Sequence, residues 1–543
     1  MVKELVEKPH AGSFFSEFPP ESEWDVVVIG AGPNGLITAA YLARAGVSVC
    51  VVESNAFVGG GAVTREVIAP GFKTDICSLI HVFIQANPVI TDDELGLIER
   101  YGLKYIYPEV PIAVHFNDGT HLSFYRDLEK MAGSIARFSR KDADAYVRFH
   151  DWSSKLLNLL LVGMFSPTPS FGGFVSMMDQ SHEGRELLHA MMVSTFDIIN
   201  EWFENEKVKI ALTRWISECM ITPMTKGTGI GLFVMIPLFH KFGAGLAVGG
   251  SGALSESLER CVLDLGGEVR TSSSIKSFNL ESGTCTGVTL ENGKEIKATR
   301  AVVASLNIRQ IFPDMVSGAR LPEGFLKNIE KLRFSDYQGV NQGFALHDAP
   351  AYKNEALNEA FFIEFAPDTL EEYLRYFNDL SFGVKTYNHN PGVACATIHD
   401  PTRAPEGKHT FYMYDFAPYN LNTGGPAAWD SIKEEYADEV LDFFRRYVTN
   451  MGEDNIIGRW MQTPVDLERF NQAFMNGDFA QVGAYLHQNM GNRPLPGWNY
   501  RTPIDKLYLC GPGTHPGLGV TGGGRAAVQV VMEDLGIDFS GLF

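Results

Sequence analysis

The chain has 543 residues, 45% hydrophobic and 20% charged, with a formal charge of −20 at neutral pH. That length exceeds what one hydrophobic core usually supports, so two domains are expected. The negative balance argues against nucleic acid as a partner, because phosphate binding needs clustered Lys and Arg, and against docking on anionic lipid through a basic face.

Residues 1–24 carry Lys3, Glu4, Glu7 and Lys8 and no apolar run of the kind a secretory signal needs, so they read as a surface tail. Asp25 to Glu53 then spell an apolar strand, a Gly-x-Gly-x-x-Gly turn (Gly30, Gly32, Gly35), a helix, and a second strand ending on an acid. Each part suits a dinucleotide. Gly30 permits the tight turn, Gly32 lets the backbone approach a pyrophosphate, and Gly35 lets the helix pack on the strand. The helix N-terminus offers N–H groups and positive dipole to the phosphates, and Glu53 can accept from ribose hydroxyls. A second glycine cluster, Gly59-Gly60-Gly61-Ala62, follows closely enough to lie along the same ligand.

From about residue 106 to 240 the pattern reads as mostly helical, including Asp142–Leu161 and Gly184–Asn200. Two apolar runs, residues 156–165 and 231–239, are too short to cross a membrane and read as core or pocket lining. If exposed, either would suit peripheral contact with a bilayer that delivers a lipophilic substrate. Gly249-Gly250-Ser251-Gly252 opens a helix to Leu265, with Ser251 or a neighbouring glycine as its cap. Strands are expected at residues 268–270, 274–276, 285–290 and 294–298, the last two joined by a Glu291-Asn292-Gly293 hairpin turn, and at 301–304. Further strands are expected at residues 342–346, 393–398 and 409–415, and a helix at 429–447. The chain closes on another strand, glycine turn and helix, from Leu507 through Gly511, Pro512, His515 and Gly522–Gly524 to Leu535.

The seven cysteines are scattered and form no CxxC pair. That pattern suits reduced thiols in a cytoplasmic protein, with no disulfide framework and no metal site.

Taken together, the first fingerprint, Gly59-Gly60 with Thr64, Pro70-Gly71-Phe72, Gly249-Gly250-x-Gly252-Ala253-Leu254 and the terminal Leu507–Gly511 unit resemble the phytoene desaturase-like FAD-dependent oxidoreductases. Within them, Gly60-Gly61-Ala62-Val63-Thr64 and Leu507–Gly513 with His515-Pro516-Gly517 look most like the branch called pyridine nucleotide-disulfide oxidoreductase domain-containing protein 2, and Thr463-Pro464-x-Asp466-Leu467-Glu468 and Arg493-Pro494 also fit it. The resemblance implies an α/β fold: a discontinuous Rossmann-like FAD-binding domain (residues 25–105, 240–310 and 496–543) with an inserted α+β substrate domain (106–239 and 311–495). It implies FAD as cofactor. Gly30, Gly32, Pro33, Asn34 and Gly35 would then surround the pyrophosphate, and Glu53 and Ser54 the adenosine ribose. Gly60, Gly61 and Ala62 would follow the phosphate–ribitol stretch, and Ile275 the adenine. Gly511 and Pro512 would sit by the ribitol, and Gly519, Val520 and Thr521 by the flavin ring.

Two departures stand out. Gly61 occupies a position where many relatives carry Arg or Lys, and Pro512-Gly513 one where related amine oxidases carry an acid. The missing CxxC pair speaks against disulfide reduction. The resemblance favours dehydrogenation of an apolar, cyclic or polyene small molecule, with O2 or a quinone as acceptor. Amine or alcohol oxidation and a non-catalytic FAD scaffold are the alternatives. His515 and His81 are candidate catalytic residues, each with a structural role as the alternative. Asp466, Glu468 and Arg493 read as solvated or salt-bridged. Oligomeric state is open.

Overall fold

The computed structural model describes residues 21–543. The proposed tail therefore lies almost wholly outside the described residues, but its last four do not. Residues 21–24 begin the first strand, Glu21–Ile29, and pair in parallel with residues 295–298. The pairing strand is the reason: Glu295–Ala304 runs past the hairpin without a break, merging the two short strands expected there, and offers the incoming chain an edge.

One sheet takes its strands from both ends of the chain. Its parallel part runs Glu268–Arg270, Val49–Val52, Glu21–Ile29, Glu295–Ala304, Leu507–Leu509. Val26–Val28 and Val49–Val51 are fully buried, as central strands covered on both faces must be. The helices Pro33–Arg44, Gly252–Asp264 and Gly524–Asp534 pack against this layer. The hairpin strands Ile275–Glu281 and Thr284–Leu290 extend it, with Thr284–Leu290 antiparallel to Glu295–Ala304.

The second sheet has seven strands in the order Ile456–Gln462, Gln338–Leu346, His409–Ala417, Gly392–Ala394, Ala360–Ala366, Val110–Phe116, His121–Phe124. Its last two strands lie in the stretch expected to be mostly helical. All seven residues of Val110–Phe116 are buried, and that continuous burial favours a strand over an amphipathic helix. The strand expected over residues 393–398 stops at Ala394 and turns into a short 3-10 segment. The helix expected over 184–200 is two helices, His182–Met192 and Thr195–Trp202. The break falls at Ser194, which forms a capping box with Asp197.

The long helix Arg140–Phe165 and the Pro-containing helix Ile230–Phe242 hold the two apolar runs. Leu156, Leu157, Leu160 and Phe165 are buried, while Leu159 and Val162 face outward. Among the described residues no helix is long and apolar enough to cross a membrane. All seven cysteines are free.

Candidate active site

A cavity of about 340 Å³ runs from the glycine turns of the first sheet to the face of the second. Every residue expected at the cofactor lines it except Gly35, Gly511 and Thr521. The turn contributes Gly30, Gly32, Pro33 and Asn34, and Gly60, Gly61 and Ala62 lie against it. A Cβ on Gly60, whose φ is +55°, would stand 3.0 Å from Gly32 Cα, so the two glycine segments form one narrow cradle. No side chain caps the helix that starts at Pro33, which leaves its N-terminal end to a ligand. Beside Gly61, where the sequence lacks a cation, the ring of Phe474 would approach an added Cβ to 3.2 Å.

Glu53 is buried at the other end of the cradle. Its Oε2 accepts from the Ala31 amide and its Oε1 from the Asn55 amide, both at 2.8 Å. Burial pushes its carboxyl up, against the pull of those amides. Ser54 and Ile275 complete this end, joined by Ser273 and Ser274, which sequence reading passed over.

The three exceptions are held by the framework. A Cβ on Gly35 would stand 2.0 Å from the Gly30 carbonyl, so this glycine serves the packing of helix on turn. Gly511 is covered by Gln481, whose side-chain oxygen would meet an added Cβ at 2.9 Å and accepts from the Gly513 amide at 3.0 Å. Thr521 is buried and gives its carbonyl to Asn87 Nδ2 at 3.1 Å. Gln481 itself lines the cavity, in a loop with no motif to mark it.

Ser251 does not cap its helix. Its amide and hydroxyl both donate to Asp75 Oδ1, at 2.8 and 3.1 Å, while Thr64 Oγ1 accepts from the Gly252 amide at 3.0 Å. Arg403 closes the same buried cluster onto Asp75 at 2.6 Å. The Asp75 carboxylate and the Thr64 hydroxyl, both from the stretch that follows the second glycine cluster, thus occupy the helix start that a local cap would have taken.

Neither candidate histidine lines the cavity. His515 lies buried with Nε2 against the Gly163 carbonyl at 2.7 Å; a carbonyl only accepts, so Nε2 bears the hydrogen. His81 is pinned by backbone bonds to Gly245 and meets the Tyr105 hydroxyl through Nδ1 at 2.8 Å. Burial drives both imidazoles down to about 4. These bonds hold both rings outside the cavity lining, and each ring keeps its other nitrogen buried without a partner.

Arg493 is neither solvated nor salt-bridged. It is buried, and its guanidinium donates to the carbonyls of Ala480, Val482, Gly483, Pro512 and Thr514. It therefore fastens the loop before the last strand to the one after it. Asp466 does form an ion pair, with Lys433 at 2.7 Å, and Glu468 accepts from the Tyr419 hydroxyl.

The inner chamber rests on one face of the second sheet. Ile112, Phe362, Glu364, Tyr412 and Tyr414 line its floor, and Trp215, Glu218 and Met235 lie opposite. Gly392 separates Phe362 from Tyr414; an added Cβ would fall 2.6 and 2.7 Å from the two rings. Arg214, 1% exposed, pairs with Glu218 and with Glu364 at 3.3 Å, and Tyr414 donates to Glu218. Burial, with Glu218 alongside, holds the Glu364 carboxyl well above the usual carboxylate range despite Arg214. The one signal for this group was a lone acid in the otherwise apolar strand Ala-Phe-Phe-Ile-Glu-Phe-Ala.

Glycine cradle, open helix end and buried acid together fit an adenine dinucleotide flavin. Residues 34–532 match the family model described as flavin containing amine oxidoreductase. The pyridine nucleotide-disulfide oxidoreductase domain-containing protein 2 of Rattus norvegicus is 30% identical over 94% of both chains. One chain of the limonene dehydrogenase from Castellaniella defragrans is 28% identical over 95% of both. A solved oxidoreductase from Methanosarcina mazei shares the fold, with a TM-score of 0.59 at 17% identity over 94% of this chain and 99% of that one. The chain belongs to the flavin-containing amine oxidoreductase family, and the protein is an FAD-dependent oxidoreductase.

Proposed function

We propose that the protein dehydrogenates an apolar, cyclic or polyene small molecule held in the inner chamber. The observation carrying this reading is the continuity of the cavity: cradle residues line one end, and Ile112, Phe362, Trp215 and Met235 the other. In this reading residues 25–105, 240–310 and 496–543 hold FAD, and 106–239 and 311–495 hold the substrate. Bound FAD supplies a two-electron acceptor for hydride. The chain's own part is to orient the substrate and exclude water. Gly519, Val520 and Leu518 would meet the ring edge, near the start of the last helix, whose dipole favours negative charge there. The name of limonene dehydrogenase lends support, as does the apolar lining.

The test is anaerobic bleaching of the flavin absorption by three panels: cyclic terpenes and polyenes, amines, and alcohols. Bleaching by the first panel is expected. Bleaching by amines or alcohols instead would assign the oxidase reading, and none by any panel would favour a scaffold. Peroxide released on admitting air would separate O2 from a quinone as acceptor.

A further inference from the structure

Among the described residues, no His, Lys, Arg or Asp lines the cavity. Its ionisable lining is Glu53 at the adenosine end, Cys77, Cys219, Tyr412 and Tyr414, and the acids Glu218 and Glu364. Burial pushes both thiols up to about 12 and holds both phenols well above their ordinary value, so these four keep their protons at neutral pH. Only the two inner carboxyl groups remain to exchange a proton with a molecule in the chamber.

Their setting is built for that. Glu364 is 1% exposed, shares the Arg214 guanidinium with Glu218, and keeps its second oxygen, Oε2, buried without a hydrogen-bond partner. Two adjacent carboxyls without a shared proton would repel, so one proton between them is the favourable arrangement. Glu218 is the accessible member, its side chain 34% exposed. Arg214 and Tyr414 both donate to its Oε1, fixing the carboxyl and leaving Oε2 for the chamber. Other groups facing the pair are Tyr373, from the helix Leu370–Ser381, and Tyr337, which donates to the Ser217 carbonyl at 2.8 Å.

We infer that Glu218 and Glu364 form the acid–base pair of this enzyme: Glu218 takes the proton that leaves the substrate, and Glu364, Arg214 and Tyr414 position it. The inference rests on the dehydrogenation reading. Two hydrogens leave adjacent atoms of the substrate. One departs as hydride with its electron pair, the oxidant being bound flavin. The other passes as a proton to Glu218 Oε2, and the electrons of the broken bond become the new double bond. Glu218 returns the proton to solvent in the next cycle.

The test combines infrared spectra with flavin reduction by whichever compound bleaches the holoenzyme. Wild type at neutral pH should show a protonated carboxyl stretch that Glu364→Gln and Glu218→Gln each remove, with or without substrate. Glu218→Gln should bind substrate within about threefold of wild type, by Trp215 fluorescence against a Trp215→Phe control. It should reduce its flavin about 10²–10⁴ times more slowly. Glu364→Gln should slow flavin reduction less than Glu218→Gln does and should shift the pH profile of that step. Absence of the infrared band overturns the pair, and a wild-type rate in Glu218→Gln overturns the proton transfer. An amine whose affinity falls tenfold in Glu218→Gln at unchanged rate would make the site a cation anchor instead. If no compound bleaches the flavin while the band is present, dehydrogenation fails and the shared proton stands.

Discussion

The side-chain oxygen of Asn34 accepts a hydrogen bond from the Gly524 amide at 3.2 Å, joining residues 490 apart in the chain. Thr38 adds bonds to the Asn34 and Gly524 carbonyls at 2.9 and 3.2 Å, and Asn87 donates to Thr521 and Gly522. The first and last glycine units are thus one structure. The helices starting at Pro33 and Gly524 approach so closely that only a glycine fits.

Gly524→Ala would place a Cβ 2.1 Å from the Asn34 carbonyl, a backbone atom with no room to give. The expected cost is about 3 kcal/mol or more, with loss of bound flavin. Gly133→Ala, in an open stretch of the helix Leu128–Ala136, should be neutral or slightly stabilising. Chemical denaturation and the flavin absorption of both variants check this.

Glu53→Ala should leave the fold intact but weaken FAD binding about ten- to hundredfold, the value of a charge-assisted hydrogen bond. Fluorescence titration of apoprotein with FAD measures it. Unchanged affinity would show that Glu53 serves only the amides of Ala31 and Asn55.

Acid should destabilise the protein through its buried histidines. His81, His240 and His515 titrate near 4 in the fold, against an ordinary 6.5, because burial opposes the charged ring. The folded state therefore prefers them neutral. Their contribution is complete above 6.5 and is lost as pH falls towards 4, at most about 3 kcal/mol for each ring. His515→Gln keeps a donor for Gly163 and removes one titrating ring. Its unfolding free energy should fall less steeply than that of wild type across this window, and an identical slope would contradict the assignment.

Arg493→Met would leave several buried carbonyls without a donor. A loss of about 3 kcal/mol or more is expected, from the desolvation of those groups. Faster flavin release should accompany it, because the loop at Pro512 borders the cavity. Urea denaturation and gel-filtration loss of FAD are the measurements.

The sequence by itself determined the flavin end of this protein. Turn, helix start and acid lie within residues 25–53, so their geometry is local: an apolar strand, three glycines and a helix admit one way of meeting a pyrophosphate. The inner chamber was a tertiary decision. Arg214, on the helix Glu206–Ile216, and Glu218, in the 3-10 turn after it, are four residues apart, an ordinary surface spacing, and Glu364 stands on a strand with no local partner. Sheet register brings Glu364 level with Gly392 and Tyr414, and that register depends on pairings across the second sheet. The histidines show the same limit from the other side. His515 follows a glycine turn and looks poised for chemistry, but a carbonyl more than 350 residues away, that of Gly163, takes its ring out of the cavity. Burial, which sets which acid holds a proton and which histidine stays neutral, is a property of what packs around a residue and has no local sequence signature.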